Sequence, residues 1–184
     1  MISTIKKMKN IDLQSVRLIY KRVSAEHVSD TYVNWINDSE VNRYLETRGN
    51  YTLDLLQSYI EEQYKNEVYF WAIHLKDSKK HIGNIKIDPI DLETNTGDYG
   101  VLMGDKSNWG KGYAKEATLR ILDYSFNDIK LSKIKLGVIE DNVNAFNLYK
   151  KIGFKIEEVK KKIGVYNQKL SNSISMSLHV EDFK

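Results

Sequence analysis

Two short segments carry residue types and spacings suited to chemistry. The first, residues 107–114, reads Ser-Asn-Trp-Gly-Lys-Gly-Tyr-Ala. Glycines let a backbone approach a ligand closely, exposed N–H groups at a helix start suit phosphate, and Lys111 adds a point charge. A Walker A loop needs four residues between its first glycine and Gly-Lys, then Ser or Thr. Here five residues separate Gly104 from Gly110, and Gly112 follows Lys111. A dinucleotide fingerprint needs a third small residue where Lys115 stands. Taken alone, Gly-Lys-Gly reads equally as a tight turn before a helix. The second segment, residues 142–154, reads Asn-Val-Asn-Ala-Phe-Asn-Leu-Tyr-Lys-Lys-Ile-Gly-Phe. Its Tyr149 is either a polar donor or a core aromatic on helical spacing with Leu148 and Ile152.

These segments need elements to position them. Ser15 to Lys21 reads as a first strand. Val28, Tyr32, Trp35 and Ile36 give Ser24 to Leu45 helical spacing with Ser24 as N-cap, and a second helix begins at Thr52 with a face of Leu55, Leu56, Tyr59 and Ile60. Three strand candidates follow: Val68 to Leu75, Ile82 to Ile87 and Gly97 to Met103, the first two joined by a polar turn at Lys76 to Lys80. A helix face of Ala114, Ala117, Ile121 and Tyr124 succeeds the glycine-rich segment. Lys133 to Ile139 is a strand, Val143 to Ile152 a helix stopped by Gly153, and Ile174, Met176, Leu178 and Val180 alternate along a last strand. Three adjacent strands imply antiparallel hairpins, hence a mixed α/β sheet rather than a doubly wound parallel one.

Bulk properties narrow the function. The chain has 184 residues, 41% hydrophobic and 29% charged, which suits a single globular domain spanning 1–184. A net charge of +3 with lysines spread along the chain does not argue for nucleic acid. There is no cysteine, and His27, His74, His81 and His179 lack ligand spacing, so no metal is expected. The opening Met-Ile-Ser-Thr-Ile-Lys-Lys segment lacks the continuous apolar stretch of a signal peptide, and no run reaches membrane-spanning length, so a cytoplasmic location is expected.

The pairing of Trp-Gly-Lys-Gly-Tyr-Ala with the later Asn…Tyr…Gly-Phe helix resembles the GNAT N-acetyltransferase superfamily, in its RimJ/RimL branch of ribosomal-protein-alanine acetyltransferases. The resemblance implies a central, mostly antiparallel twisted sheet splayed in the middle, with flanking helices and acetyl-CoA as cosubstrate. It places Leu102, Met103 and Gly104 along the pantetheine arm. Trp109, Gly110, Lys111, Gly112, Tyr113 and Ala114 would lie around the pyrophosphate, and Asn142 on the opposite side. A free amine would attack the thioester carbonyl directly, with Tyr149 assisting the departing thiolate and Asp98 taking the amine's proton; Glu93 is a weaker substitute. Trp35, Arg43 and Tyr44 fall in the region that shapes the acceptor site. Ser107 departs from the usual Gln or Arg, and Ala145 from a common Ser.

Three functions follow from these residues. The leading one is acetylation of a protein N-terminal amine. The second is acetylation of an amino sugar on a nucleotide, because residues 35–48 resemble GNAT enzymes of surface-glycan pathways and Arg43 suits an anionic acceptor. The third is a module that binds CoA without catalysis. Either a monomer or a homodimer is compatible with the sequence.

Overall fold

A computed structural model describes residues 11–184 apart from 46, 48, 167 and 168. Residues 1–10, which carry the signal-peptide reading, lie outside the described residues, as do Glu46 and Arg48 of the 35–48 segment. The described elements run β1 (Leu13–Gln14), β2 (Leu18–Arg22), α1 (Asp30–Asn37), α2 (Leu53–Lys65), β3 (Tyr69–Leu75), β4 (His81–Asp91), β5 (Thr96–Leu102), α3 (Tyr113–Asn127), β6 (Lys133–Ile139), α4 (Val143–Ile152), β7 (Lys155–Tyr166) and β8 (Lys169–His179). The strands form one sheet in the order β1-β2-β3-β4-β5-β6-β8-β7. Every described pairing is antiparallel except β5 with β6. This is the expected mixed α/β architecture, with β8 inserted between β6 and β7 so that β7, not the last strand, forms the edge. No described helix is long and apolar enough to cross a membrane.

Two apolar layers sandwich the sheet. On one face α3 and α4 cover Trp71, Ile85, Ile87, Tyr99, Ile134 and Met176. On the other, α1 and α2 bring Tyr32, Trp35, Ile36, Leu56 and Ile60 onto Val23, Phe70 and Ala72. Strand β3 lies between the layers and buries all seven of its residues, which is why its sequence runs apolar without alternation. On α2 the buried stripe is Leu56 and Ile60, whereas Leu55 is half exposed.

The predicted helix from Ser24 to Leu45 is shorter and broken. Ser24 caps a 3₁₀ turn, Ala25–His27, and it is His27, not an acid, that reaches back to accept from the Ser24 N–H at 3.1 Å. The α-helix starts after Ser29, whose hydroxyl accepts from the Tyr32 N–H. It stops at Asp38, whose carboxylate accepts from the N–H groups of Glu40 and Val41 and pulls the chain into a turn.

Folding also gathers His27, His74 and His81, scattered in sequence, behind Trp35. The His74 and His81 rings stack at 5.0 Å, and the Trp35 ring meets His81 edge-on at 4.9 Å. No three described His, Asp or Glu side chains are arranged to hold a metal ion. The His81 Nε2–H donates to the Gly83 carbonyl and to Asn84 Oδ1, both at 3.0 Å, which fixes a neutral tautomer. Burial pushes the His81 ring from its ordinary 6.5 down to about 4. A folded-state value below the unfolded one adds stability that is present above pH 6.5 and lost as pH falls toward 4. Urea unfolding is therefore expected to lose about 2 kcal/mol between pH 7 and pH 5 through His81. The His81→Gln protein should lack that part of the slope; an unchanged slope would show that other groups carry it.

Candidate functional site

The Gly-rich turn owes its shape to backbone geometry that glycine tolerates. Gly110 and Gly112 sit at φ +74° and +81°, and Gly112 forms the N-cap of α3. Trp109 N–H still bonds backwards to Lys106 and Glu116 N–H bonds to Gly112, but the N–H groups from Gly110 to Lys115 find no acceptor among the described residues. A helix start leaves about four such donors by itself, so this turn adds further ones. A Cβ built on Gly110 would meet nothing within 4 Å, leaving the donors uncovered. Lys111 Nζ rests on the neutral Asn108 Oδ1 at 3.1 Å and makes no ion pair among the described residues, so its charge stays available.

The approach to the turn is braced by Asp105. Its carboxylate accepts from Lys80 Nζ at 2.6 Å, from the Ser107 hydroxyl at 2.7 Å and from Asn108 Nδ2 at 2.9 Å. Burial acts to raise its pKa, but the bonds from Lys80, Ser107 and Asn108 prevail and bring it to about 2. Ser107 thus turns inward to the brace. Exposed Trp109 ties the loop to β5 by donating its indole N–H to the Met103 carbonyl at 2.8 Å. Gly104 N–H is already committed to the Ile82 carbonyl, so its contribution to a ligand is not as a donor. What Gly104 supplies is space: a Cβ there would lie 2.1 Å from the Trp35 ring. Trp35, 8% exposed, therefore packs under the loop. Met103 N–H has no acceptor among the described residues.

Beside the turn the sheet parts. β5 and β6 pair in parallel over three positions, Thr96 with Lys133, Gly97 with Ile134 and Asp98 with Lys135, and then diverge. Strand alternation sends neighbouring side chains to opposite faces. A Cβ on Gly97 would meet Ile87 and Leu131 of the α3/α4 core, whereas one on Gly100 would meet Lys86 on the opposite face. Asp98 therefore faces the α1/α2 side, about half exposed, 3.4 Å from Lys135 Nζ. Tyr99 faces the α3/α4 side, where its hydroxyl bonds Thr118 at 2.8 Å and its ring meets Tyr149 edge-on at 5.9 Å. Tyr149 is 7% exposed and its hydroxyl bonds none of the described residues; burial raises it to about 12. Asp98 and Tyr149 thus flank the parting from opposite faces. Glu93 lies in the exposed β4–β5 turn, with its N–H bound to Asp91.

A strap formed by the α1–α2 connection spans the two lips of the parting. Lys106, on the β5 side, holds Asp38 at 2.7 Å and Glu40 at 2.6 Å. On the β6 side the Tyr44 hydroxyl donates to the Asp141 carbonyl at 2.9 Å. Asn142 caps α4 through its side-chain oxygen, which accepts from Ala145 N–H at 3.3 Å, while its amide NH₂ bonds none of the described residues. Arg43 is exposed and unpartnered among the described residues. The brace at Asp105 and the anchors at Lys106 and Tyr44 escape a sequence reading; the Asp-x-x-Asn spacing signals a local turn, whereas the strap contacts have no local signature.

An acetyltransferase (GNAT) domain model matches residues 17–155. The chain belongs to the GNAT acetyltransferase family. It is accordingly an acyltransferase, and members of the family use acetyl-CoA. The N-acetyltransferase p20 of Bacillus licheniformis is 26% identical over 149 residues, covering 79% of this chain and 83% of that protein. The fold is shared with the Vibrio cholerae spermidine N-acetyltransferase solved with CoA and spermine, at a TM-score of 0.81 and 21% identity over 90% of this chain and 97% of that one. It is shared too with the ribosomal-protein-S5-alanine acetyltransferase of Vibrio fischeri, at 0.76 and 19% identity over 95% and 99%.

The close approach at Gly104 gives a direct test of the site's construction. Gly104→Ala is expected to destabilise the protein by about 2 kcal/mol or more through overpacking, with a matching loss of acyl-CoA affinity. Adding Trp35→Leu should restore part of both in thermal melts and calorimetry; no restoration would place the strain elsewhere.

Proposed function

We propose that this protein transfers the acetyl group of acetyl-CoA to a primary amine, the N-terminal amine of a protein. The observation that carries this reading is the run of unpartnered N–H groups from Gly110 to Lys115 beside the parting of β5 and β6. That run, with Lys111, fits a pyrophosphate. Backbone groups of Leu102 and Met103 suit the pantetheine arm, with the amide of Asn142 across from them. Acetyl-CoA supplies an acetyl group already activated as a thioester. The Met103 N–H is a donor for the carbonyl oxygen as it gains charge.

Asp98 stands on the acceptor face and takes the ammonium proton, directly or through water. Tyr149 stands on the other face with an uncommitted hydroxyl. Its phenol, pushed up to about 12 by burial, is a weaker acid than a thiol of about 8.5. It therefore assists the departing sulfur as a hydrogen-bond donor and keeps its own proton. Tyr149→Phe is expected to lower kcat ten- to a hundredfold, the worth of about 1.5–3 kcal/mol for a bond to a charged group, with acetyl-CoA affinity unchanged. An equal loss of affinity would make the residue structural. Because the raised value keeps the phenol neutral into alkaline solution, kcat should rise as the acceptor deprotonates and show no falling limb below about pH 10.

Charge pairing on the acceptor face supports a single amine over a polycation. A cavity of about 260 Å³ there is lined by Asp98, Lys135, Gly137, Glu157, Glu158 and Ser175. Each carboxylate already has a lysine: Asp98 has Lys135, Glu157 has Lys133, and Glu158 has Lys160 at 3.7 Å. A polyamine would have to displace these lysines, whereas one ammonium on a neutral peptide would not. A nucleotide-linked amino sugar is the second reading, favoured by the exposed Arg43, which has no partner among the described residues. In a CoA-thiol release assay, peptides with free N-termini should turn over at least tenfold more efficiently than spermidine. Preference for an amino-sugar nucleotide would select the second reading, and acyl-CoA binding without turnover on any amine would leave a binding module.

A further inference from the structure

The Gly110–Gly112 turn has a neighbour that nothing in its own segment announces. Arg17 lies in the β1–β2 loop, 94 residues before Lys111, yet its Nη1 donates to the Lys111 carbonyl at 3.0 Å. Its guanidinium carbon lies 4.4 Å from the centre of the Tyr113 ring. Nη2 lies 3.6 Å from the point a Cβ on Gly112 would occupy, and makes no hydrogen bond to the described residues. A Cβ at position 112 would sit in van der Waals contact with that nitrogen, so the glycine, required by its φ of +81°, also leaves Nη2 bare beside the unpartnered N–H run.

Glu116, in the first turn of α3, sets the orientation. One carboxylate oxygen accepts from Arg17 Nε at 2.7 Å; the other accepts from the Arg17 main-chain N–H and the Ser15 hydroxyl, each at 2.7 Å. The Glu116 side chain is 14% exposed and that of Arg17 46%. A planar guanidinium bound at Nε and Nη1 and stacked on an aromatic ring loses little further freedom when its remaining N–H groups meet an oxyanion. Ser107 is short and its hydroxyl is taken by Asp105, so residues 107–114 offer no cationic side chain besides Lys111.

We propose that Arg17 is a phosphate ligand of the acyl-CoA site, delivered to the Gly110–Gly112 turn from the β1–β2 loop and aimed there by Glu116. This rests on the acetyl-CoA reading above. The phosphate is either one of the pyrophosphate pair or the 3′-phosphate of the coenzyme, and truncated ligands separate the two.

The test is calorimetric titration of the full chain with acetyl-CoA, acetyl-dephospho-CoA and S-acetylpantetheine. Arg17→Gln should weaken acetyl-CoA about ten- to a hundredfold, as loss of a charge-assisted bond does, and leave S-acetylpantetheine within twofold. Persistence of the loss with acetyl-dephospho-CoA assigns the pyrophosphate; its disappearance assigns the 3′-phosphate. Glu116 keeps its Ser15 and main-chain partners in that variant, which preserves the local fold. Glu116→Gln keeps the guanidinium but weakens its anchor, and should give a smaller loss with the same selectivity, so it carries the test independently. Equal losses on acetyl-CoA and S-acetylpantetheine, or no loss on acetyl-CoA, would overturn the assignment of Arg17. Wild-type protein that binds none of the three would overturn the acyl-CoA reading and this inference with it.

Discussion

Buried backbone N–H and C=O groups must find partners, and a sheet ordinarily supplies them on both sides of each interior strand. In this protein β5 and β6 pair over Thr96–Asp98 and Lys133–Lys135 and then part. Beyond Asp98, β5 keeps β4 on one side; beyond Lys135, β6 keeps β8 on the other. The edges that face each other across the parting are left to something other than the sheet. The Gly-rich turn, the strap and the helices on both faces take their positions from that interruption.

The interruption also separates two kinds of chemistry. Adjacent residues of β5, Asp98 and Tyr99, point to opposite faces because strand side chains alternate. One face is apolar and closed by α3 and α4, so Tyr149 is held there as an undissociated phenol. The other is covered by α1 and α2 over β3, but beside the parting it carries paired charges, Asp98 with Lys135 and Glu157 with Lys133, around a cavity. A half-exposed carboxylate on β5 and a buried neutral hydroxyl on α4 thereby lie on opposite faces of the sheet, each in an environment that favours its own protonation state.

Local physics explains which features a sequence reader can find. The all-apolar run of β3, the alternation of β8, the glycine turn at 110–112, the stop at Gly153 and the start of α2 at Thr52 are set by near neighbours, and each is legible. The helix drawn from Ser24 to Leu45 failed because the apolar spacing of Val28 to Ile36 continues past a stop that two hydrogen bonds to Asp38 impose. An exposed aromatic and a buried one have the same sequence signature, so the packing of Trp35 against Gly104, 69 residues away, is visible only in the fold.

The order of elements, the mixed sheet, and the Gly-rich turn paired with the Tyr149 helix are written in the sequence, since these rest on periodicity, glycine torsions and short spacings. Packing of the whole chain is what sets which face Asp98 and Tyr149 occupy, stands Arg17 and Glu116 beside Gly112, anchors a strap over the parting through Tyr44 and Lys106, and brings three distant histidines into one buried cluster. Those are contacts between residues tens of positions apart. Such contacts are fixed by how helices and strands pack together, and no local pattern in the chain encodes them.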